Sequence, residues 1–311
     1  MRRIMSALVP IALLVTGITA AAQSGGNIVS RVRAAIAAKE FDRGHTLIDE
    51  DRSARGVTPE AIEALSWLAR GTFAAGRLDE AAQYSADTHD LVVTALKTRR
   101  LEDDTRLQTA LGAAIETDAL VRAARGDRSS AVYFLERELK TYRDSPIHKR
   151  LQKNINLLSL EGQPAPALDA REHLGPQVPG FGRLKGSVVL LFFWAHWCPD
   201  CKAQGPIIER LLGKYRSDGL RVVAPTQRFG YIVAGQKAPA DAELRHIVQV
   251  RDQYYAFLRD EAVPVSDVNH KRYGVSSTPT LALVDRQGVV RLYRPGRMAE
   301  QDLEAAIRKL L

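Results

Sequence analysis

Between residues 27 and 160 apolar side chains return every three to four positions, as in Ile62, Leu65, Leu68 and Ala69. That spacing sets one face of an α-helix against a core. The intervening residues are mostly Ala, Leu, Arg and Glu, which favour helix. Thr58-Pro59-Glu60 is a helix start with Pro in the first helical position. Asp144-Ser145-Pro146 ends one helix and opens the next. A short beat recurs from Lys39 to Gly44 (KEFDRG), Gly76 to Ala81 (GRLDEA) and Gly126 to Ala131 (GDRSSA). Each reads as a tight turn followed by the second helix of a pair. The starts lie 37 and 50 residues apart, so the period is irregular. An antiparallel bundle and a short helical repeat both fit.

Past Leu160 the pattern changes. Gly162, Pro164 and Pro166 mark a junction. Val188 to Trp194 (VVLLFFW) is a continuous apolar run, the sign of a strand buried on both faces. Helical spacing follows from Pro199 to Tyr215, a strand from Leu220 to Ala224, and a helix from Asp241 to Arg259. Thr280 to Val284 and Val289 to Tyr293 read as strands about the turn Asp285 to Gly288, and Ala299 to Leu311 as a closing helix. The order β-α-β-α-β-β-α is that of an α/β domain. The chain thus divides into a leader at 1–22, a helical domain at 23–160 and an α/β domain at 161–311.

Composition fits this division. The chain has 311 residues, 45% hydrophobic and 26% charged, which excludes a mainly disordered chain and a multi-span membrane protein. Of the +8 formal charge, residues 164–311 hold +6 while 23–163 balance 21 basic against 21 acidic side chains. The Lys and Arg residues are scattered, so no nucleic-acid partner is expected. Acidic partner proteins suit the charge better.

The N-terminus reads as an export signal. Arg2 and Arg3 precede an apolar stretch from Ile4 to Val15, and Ala20-Ala21-Ala22 satisfies the small-residue cleavage rule. An uncleaved membrane anchor is the alternative. Either places the chain in an extracytoplasmic space, periplasmic or secreted.

The only cysteines are Cys198 and Cys201, where the apolar strand gives way to a helix. The first turn of a helix has unpaired backbone N–H groups and favours negative charge. A thiolate at Cys198 gains from both, and its pKa is expected to be depressed and its sulfur exposed. Cys201 lies one turn further in, close enough to form a local disulfide. Pro199 suits the first helical position. Asp200 helps the helix start but opposes the thiolate. Trp194 and Trp197 bracket the loop, one beneath the site and one on a contact surface. A structural zinc site wants four ligands, and His196 is the only further one near the pair. His270 is a poor copper-site candidate. No metal and no organic cofactor is expected.

Phe193 to Cys201 (FWAHWCPDC) resembles the active site of the TlpA/ResA-like thioredoxin-fold thiol-disulfide oxidoreductases. Gly162 to Pro166, Leu184 to Gly186, Pro206, the run Tyr273 to Thr280 (YGVSSTPT) and Val284 to Gly288 extend the likeness in order. It covers 162–311. The helical half resembles a degenerate tetratricopeptide repeat, with the bundle still open. The oxidoreductase resemblance implies a cis Thr278-Pro279 bond against the cysteines, with the Thr278 backbone pairing with bound substrate. It implies that Cys198 attacks and Cys201 resolves, with Trp197, Pro199 and Asp200 at the substrate groove. The implied partners are client proteins with disulfides or thiols and a membrane or periplasmic thiol donor. Two departures stand out. The family's helper carboxylates fall at Phe192 and Gln204, so both are missing. The segment from Thr226 to Val263, with Phe229, Tyr231, Tyr254 and Tyr255, is enlarged. It reads as a lid, a docking surface or, more simply, a packed helix. An adaptor reading, in which the helical half binds and the redox half tethers or senses, stays compatible.

Overall fold

The computed structural model describes residues 26–177, 184 and 186–311. The leader read at 1–22 lies outside them. Among the described residues seven α-helices form the N-terminal region: α1 (Ile28–Ala37), α2 (Phe41–Arg55), α3 (Pro59–Ala74), α4 (Leu78–Ala95), α5 (Thr105–Ala124), α6 (Arg128–Thr141) and α7 (His148–Ser159). Thr58 caps α3, its hydroxyl accepting the Ala61 N–H at 3.2 Å, with Pro59 first in the helix. Odd-numbered helices pack in series, α1 on α3, α3 on α5 and α5 on α7, and each even helix folds back on its predecessor. This is a stack of helix pairs.

The recurring beat is the hinge of each pair. Lys39, Gly76 and Gly126 all adopt positive φ, at 62°, 77° and 90°. Each turn makes the same two bonds. The N–H of Lys39, Gly76 and Gly126 reaches the carbonyl three residues back, and the next N–H reaches five back, all at 2.9–3.0 Å. These bonds satisfy carbonyls orphaned at the helix end. A small residue then follows on the second helix. Gly44 lies so close to Leu68 that a Cβ would meet it at 3.1 Å, and Ala81 and Ala131 are fully buried.

The C-terminal region is built on the sheet β3-β2-β5-β6. Its strands are β2 (Val188–Phe193), β3 (Leu220–Val223), β5 (Thr280–Val284) and β6 (Val290–Pro295). β3 lies parallel to β2, while β5 and β6 are antiparallel. Helices α8 (Pro199–Tyr215), α9 (Ala240–Tyr254), α10 (Asp267–Arg272) and α11 (Glu300–Arg308) complete it. A two-residue ladder, β1 (His173–Leu174) with β4 (Val263–Pro264), lies beside β3. All of β2 is buried, so its alternating side chains feed two cores. Val188, Leu190 and Phe192 meet Ile208 and Leu212 of α8, Ile247 of α9 and Ile307 of α11. Val189, Leu191 and Phe193 face Tyr273, Val275 and Tyr293. This is a thioredoxin-fold core. Helix α10 and the strands β1 and β4 have no counterpart in the sequence reading.

The two regions are tied. The N–H of Gly162 reaches the Val290 carbonyl and the N–H of Val290 reaches that of Gln163, so the junction pairs with the edge of β6. Gly274, at φ 59°, lies against the backbone of α7, where a Cβ would stand 2.2 Å from the Lys153 nitrogen. Only glycine permits that approach. Asn156 donates to the Arg272 carbonyl at 3.3 Å. Lys149 of α7 donates to Gln227 at 2.9 Å.

Candidate active site

The end of β2 delivers the dithiol to the start of α8. Cys198 is the N-cap of that helix, with Pro199 first inside it. The Cys198 sulfur accepts the Cys201 N–H at 3.1 Å. From the other side, the Cys198 thiol donates to the Thr278 carbonyl at 3.3 Å, across 80 positions of sequence. The Thr278-Pro279 peptide is cis. Both thiols are free.

The two thiols are pushed apart in acidity. The Cys201 side chain bonding toward Cys198 holds the latter down at about 6, against burial. The Thr278 side chain and the Cys201 N–H add to this, and the Asp200 charge opposes it. Burial pushes the Cys201 thiol far up, and its bond and proximity to Cys198 push it further. At neutral pH the pair therefore holds one thiolate and one thiol, an arrangement suited to thiol-disulfide exchange.

One expectation is corrected. Cys198 is not exposed: it retains only 2% of its surface. Its sulfur turns inward between the helix start and the Thr278 carbonyl, and of those two contacts it is the Cys201 N–H that lowers its pKa. The thiol stays acidic because the bonds from Cys201 and the Thr278 side chain outweigh its burial.

The surrounding residues fall on two sides. Trp194 is fully buried and donates from Nε1 to the Ala224 carbonyl at 3.1 Å. Trp197 is 43% exposed. Its ring meets Phe229 edge-on at 5.5 Å and stacks with Tyr231 at 6.4 Å. The enlarged segment therefore supplies an aromatic wall beside the dithiol. Pro199 and Asp200 are exposed, and Arg297 stands 3.6 Å from the Asp200 carboxylate.

The helper positions are filled as the sequence has them. Phe192 is fully buried. Gln204 is fully buried too, its Oε1 accepting the Met298 N–H at 2.9 Å while Nε2 finds no partner among the described residues. Of two further residues of consequence, Glu243 escaped the sequence reading, and Tyr255 was named there only as part of the enlarged segment. Glu243 of α9 is buried, accepts the N–H groups of Phe229 and Gly230 at 2.5 and 2.9 Å, and stands 3.4 Å from His196 Nε2. It thereby anchors the aromatic wall. Burial pushes His196 below its ordinary pKa, with Glu243 opposing. Tyr255 packs on Trp194 at 5.0 Å and Phe192 at 5.9 Å, and its ring fills the space that a Cβ on Gly205 would take. Its buried hydroxyl has no partner among the described residues. The signal for Tyr255 was Gly205, one turn past Cys201. For Glu243 there was none, since its contacts are tertiary.

Among the described residues no group of three or more His, Cys, Asp or Glu side chains is placed to hold a metal ion. His270 is buried edge-on to Phe193 and Phe229 at 5.6 and 6.2 Å, and burial holds its pKa down to about 3.

Comparison with known proteins bears on the same half. Residues 160–307 match the Redoxin family. The thioredoxin-like protein YneN of Bacillus subtilis is 30% identical over 144 residues, which cover 46% of this chain and 76% of that protein. The thiol-disulfide oxidoreductase ResA of Halalkalibacterium halodurans is 24% identical over 186 residues, covering 60% of this chain and 86% of the relative. A solved structure, a putative thiol:disulfide interchange protein DsbE from Chlorobium tepidum, is 27% identical, covers 48% of this chain and 96% of its own, and has a TM-score of 0.37. Through its C-terminal half this chain belongs to the Redoxin family, as a thiol-disulfide oxidoreductase of the ResA-like, thioredoxin-fold kind.

Proposed function

We propose that this protein is exported and reduces client disulfides, with Cys198 as nucleophile and Cys201 as resolving thiol. The observation that carries the reading is the Cys198 sulfur held between the Cys201 N–H and the Thr278 carbonyl. The Cys198 thiolate attacks one sulfur of a client disulfide, whose S–S bond breaks. The leaving client thiolate takes a proton, and a mixed disulfide remains. Cys201 loses its proton and attacks the Cys198 sulfur, releasing the second client thiolate. The client gains two electrons and the protein keeps a Cys198–Cys201 disulfide. A thiol donor, membrane-bound or periplasmic, returns it to the dithiol. Thr278 and Pro279 shape the client groove, with Trp197, Pro199 and Asp200 at its rim. The stack of helix pairs resembles a tetratricopeptide arrangement and serves as the recognition region. Export rests on the apolar stretch after Arg2 and Arg3.

Purified protein with dithiothreitol as donor is expected to reduce insulin, and Cys198→Ser to abolish this. Cys201→Ser accumulates mixed disulfides. Iodoacetamide alkylation of Cys198 rises with pH to a plateau, with its midpoint at about 6. A midpoint potential near thioredoxin's, about −270 mV, fits a reductase, whereas one near about −120 mV reverses the direction of flow.

A further inference from the structure

Between the helical stack and the cis-Pro loop lies an open cleft of about 610 Å³. One wall carries Arg70 of α3 with Lys149, Arg150 and Lys153 of α7; the other includes Ser276 and Ser277. Among the described residues the only carboxylate lining it is Glu116 of α5, which Arg150 and Lys153 share at 2.7 and 3.1 Å. Four cations face one anion.

Arg70 and Lys149 are half-buried. Arg70 lies over the Trp67 ring at 4.4 Å, and Lys149 donates to the neutral Gln227. Neither has a carboxylate within ion-pair distance among the described residues. Burial pushes both below their ordinary pKa. Partly desolvated, unpaired cations are costly to maintain. They lie in a half whose charges sum to zero, so the positive cleft is a local concentration of charge. An anion entering the cleft recovers that cost.

The cleft also continues the client groove. Ser276 and Ser277 directly precede Thr278, whose carbonyl meets the Cys198 thiol. Extended chain advances ~3.3 Å per residue. A client segment seated on the Thr278 backbone therefore reaches the cleft within about two to five residues of its cysteine. The seam between the regions, with Gly274 against α7, holds the two walls in register.

We propose that this cleft binds an acidic, extended stretch of the client polypeptide close to the cysteine that Cys198 attacks. The inference rests on the proposed seating of the client at Thr278. It makes the helical region a reader of charge beside the reacting sulfur, and it gives α7 a contact with the client as well as with the cis-Pro loop.

The test uses the full mature chain with dithiothreitol as donor and four probes. Three are peptides whose single cysteine is disulfide-bonded to 2-mercaptoethanol and flanked by four Glu, four Gln or four Lys residues. The fourth is the neutral 2-hydroxyethyl disulfide. At low salt the Glu peptide is expected to show about tenfold higher kcat/KM than the Gln peptide, and the Lys peptide lower than either. At 1 M salt, where the Debye length is about 3 Å, the Glu-to-Gln ratio falls toward one. In the Arg70→Gln/Lys149→Gln double variant that ratio is within about twofold of one at low salt. Because the readout is a ratio on one preparation, partial misfolding does not imitate it. A wild type that reduces 2-hydroxyethyl disulfide but treats the Glu and Gln peptides alike overturns the cleft alone. A double variant that keeps the full preference does the same. A wild type inert toward 2-hydroxyethyl disulfide overturns the redox reading, and this inference with it.

Discussion

The two halves distribute their unpartnered buried polar groups differently. In α3 and α4 four buried hydroxyls, those of Ser66, Thr72, Ser85 and Thr88, each donate to a carbonyl of their own helix at 2.6–3.0 Å. Those groups are closed within one turn. Around the dithiol, His196, Gln204 and Tyr255 each hold a buried nitrogen or oxygen without a partner among the described residues. Unpaired buried polar atoms are rare and costly, about 1–3 kcal/mol each. The helical half has unpartnered buried atoms too, at Asp51, Arg52, Trp67, His148 and Asn154, but they are spread over α2, α3 and α7, whereas the redox half gathers several beside one pair of sulfurs. Stability and chemistry are therefore expected to respond to different substitutions.

The largest effect tests that separation directly. Leu111 lies fully buried in the helical core against α4, α6 and α7 neighbours. Leu111→Ala is expected to cost about 3 kcal/mol of helical-region stability by urea unfolding. The midpoint potential and the alkylation profile of Cys198 stay as in the wild type. A changed potential breaks the comparison, because it means the stack bears on the sulfurs through the seam at Gly274.

Gln204→Glu sharpens it from the other side. The Oε1 that accepts from Met298 is retained, and the Nε2 that becomes oxygen has no partner to lose. The new carboxylate lies three residues past Cys201, on the same helix face. It supplies the base that Phe192 and Gln204 leave missing. Release of client from the mixed disulfide is expected to accelerate about a hundredfold, the low end of general-base effects. Burial raises the carboxyl pKa, so the gain appears only above that raised value. Rapid-quench trapping of the mixed disulfide reads it, and an unchanged lifetime means water or another group already does the work.

Asp200→His is smaller. The Asp200 charge raises the Cys198 pKa. Removing it favours the thiolate and hence the reduced form. One pKa unit corresponds to about 30 mV for this two-electron couple. Asp200 is exposed, so screening leaves a positive shift on the order of 20 mV that shrinks with added salt. Glutathione redox titration measures it.

How far the sequence reached follows from the range of each signal. The dithiol, the Thr278-Pro279 pair, the strand Val188–Phe193 and the helix Pro199–Tyr215 rest on local pattern, and the structure has them within a residue or so. Helix α10 was missed because six residues carry too little periodicity, although Ser266, whose hydroxyl accepts the Val268 N–H, was a usable cap signal. The inward turn of Cys198 depends on Thr278, 80 residues away. Glu243 meets His196 only once the enlarged segment has folded back. Such contacts leave no periodic trace. The recurring beat at Lys39, Gly76 and Gly126 was legible as a turn, but only the shared positive φ shows that all three are one structure.

That equivalence yields the finest test. Lys39 is the one non-glycine residue with positive φ among the described residues, at 62°, and it occupies the site that Gly76 and Gly126 fill in the other pairs. A side chain there brings Cβ close to the neighbouring carbonyl, a cost that glycine avoids. Glycine in turn loses more backbone freedom on folding, so the two effects partly cancel. Lys39→Gly is expected to leave a net gain of about 0.5–1 kcal/mol. Calorimetry then finds the helical transition raised by about 1–3 °C. The redox half is untouched, since Lys39 sits in the first pair of the stack, far along the chain from α7. A destabilised Lys39→Gly protein means that Lys39 earns its place through its side chain, and that the first hinge is not the same device as the other two.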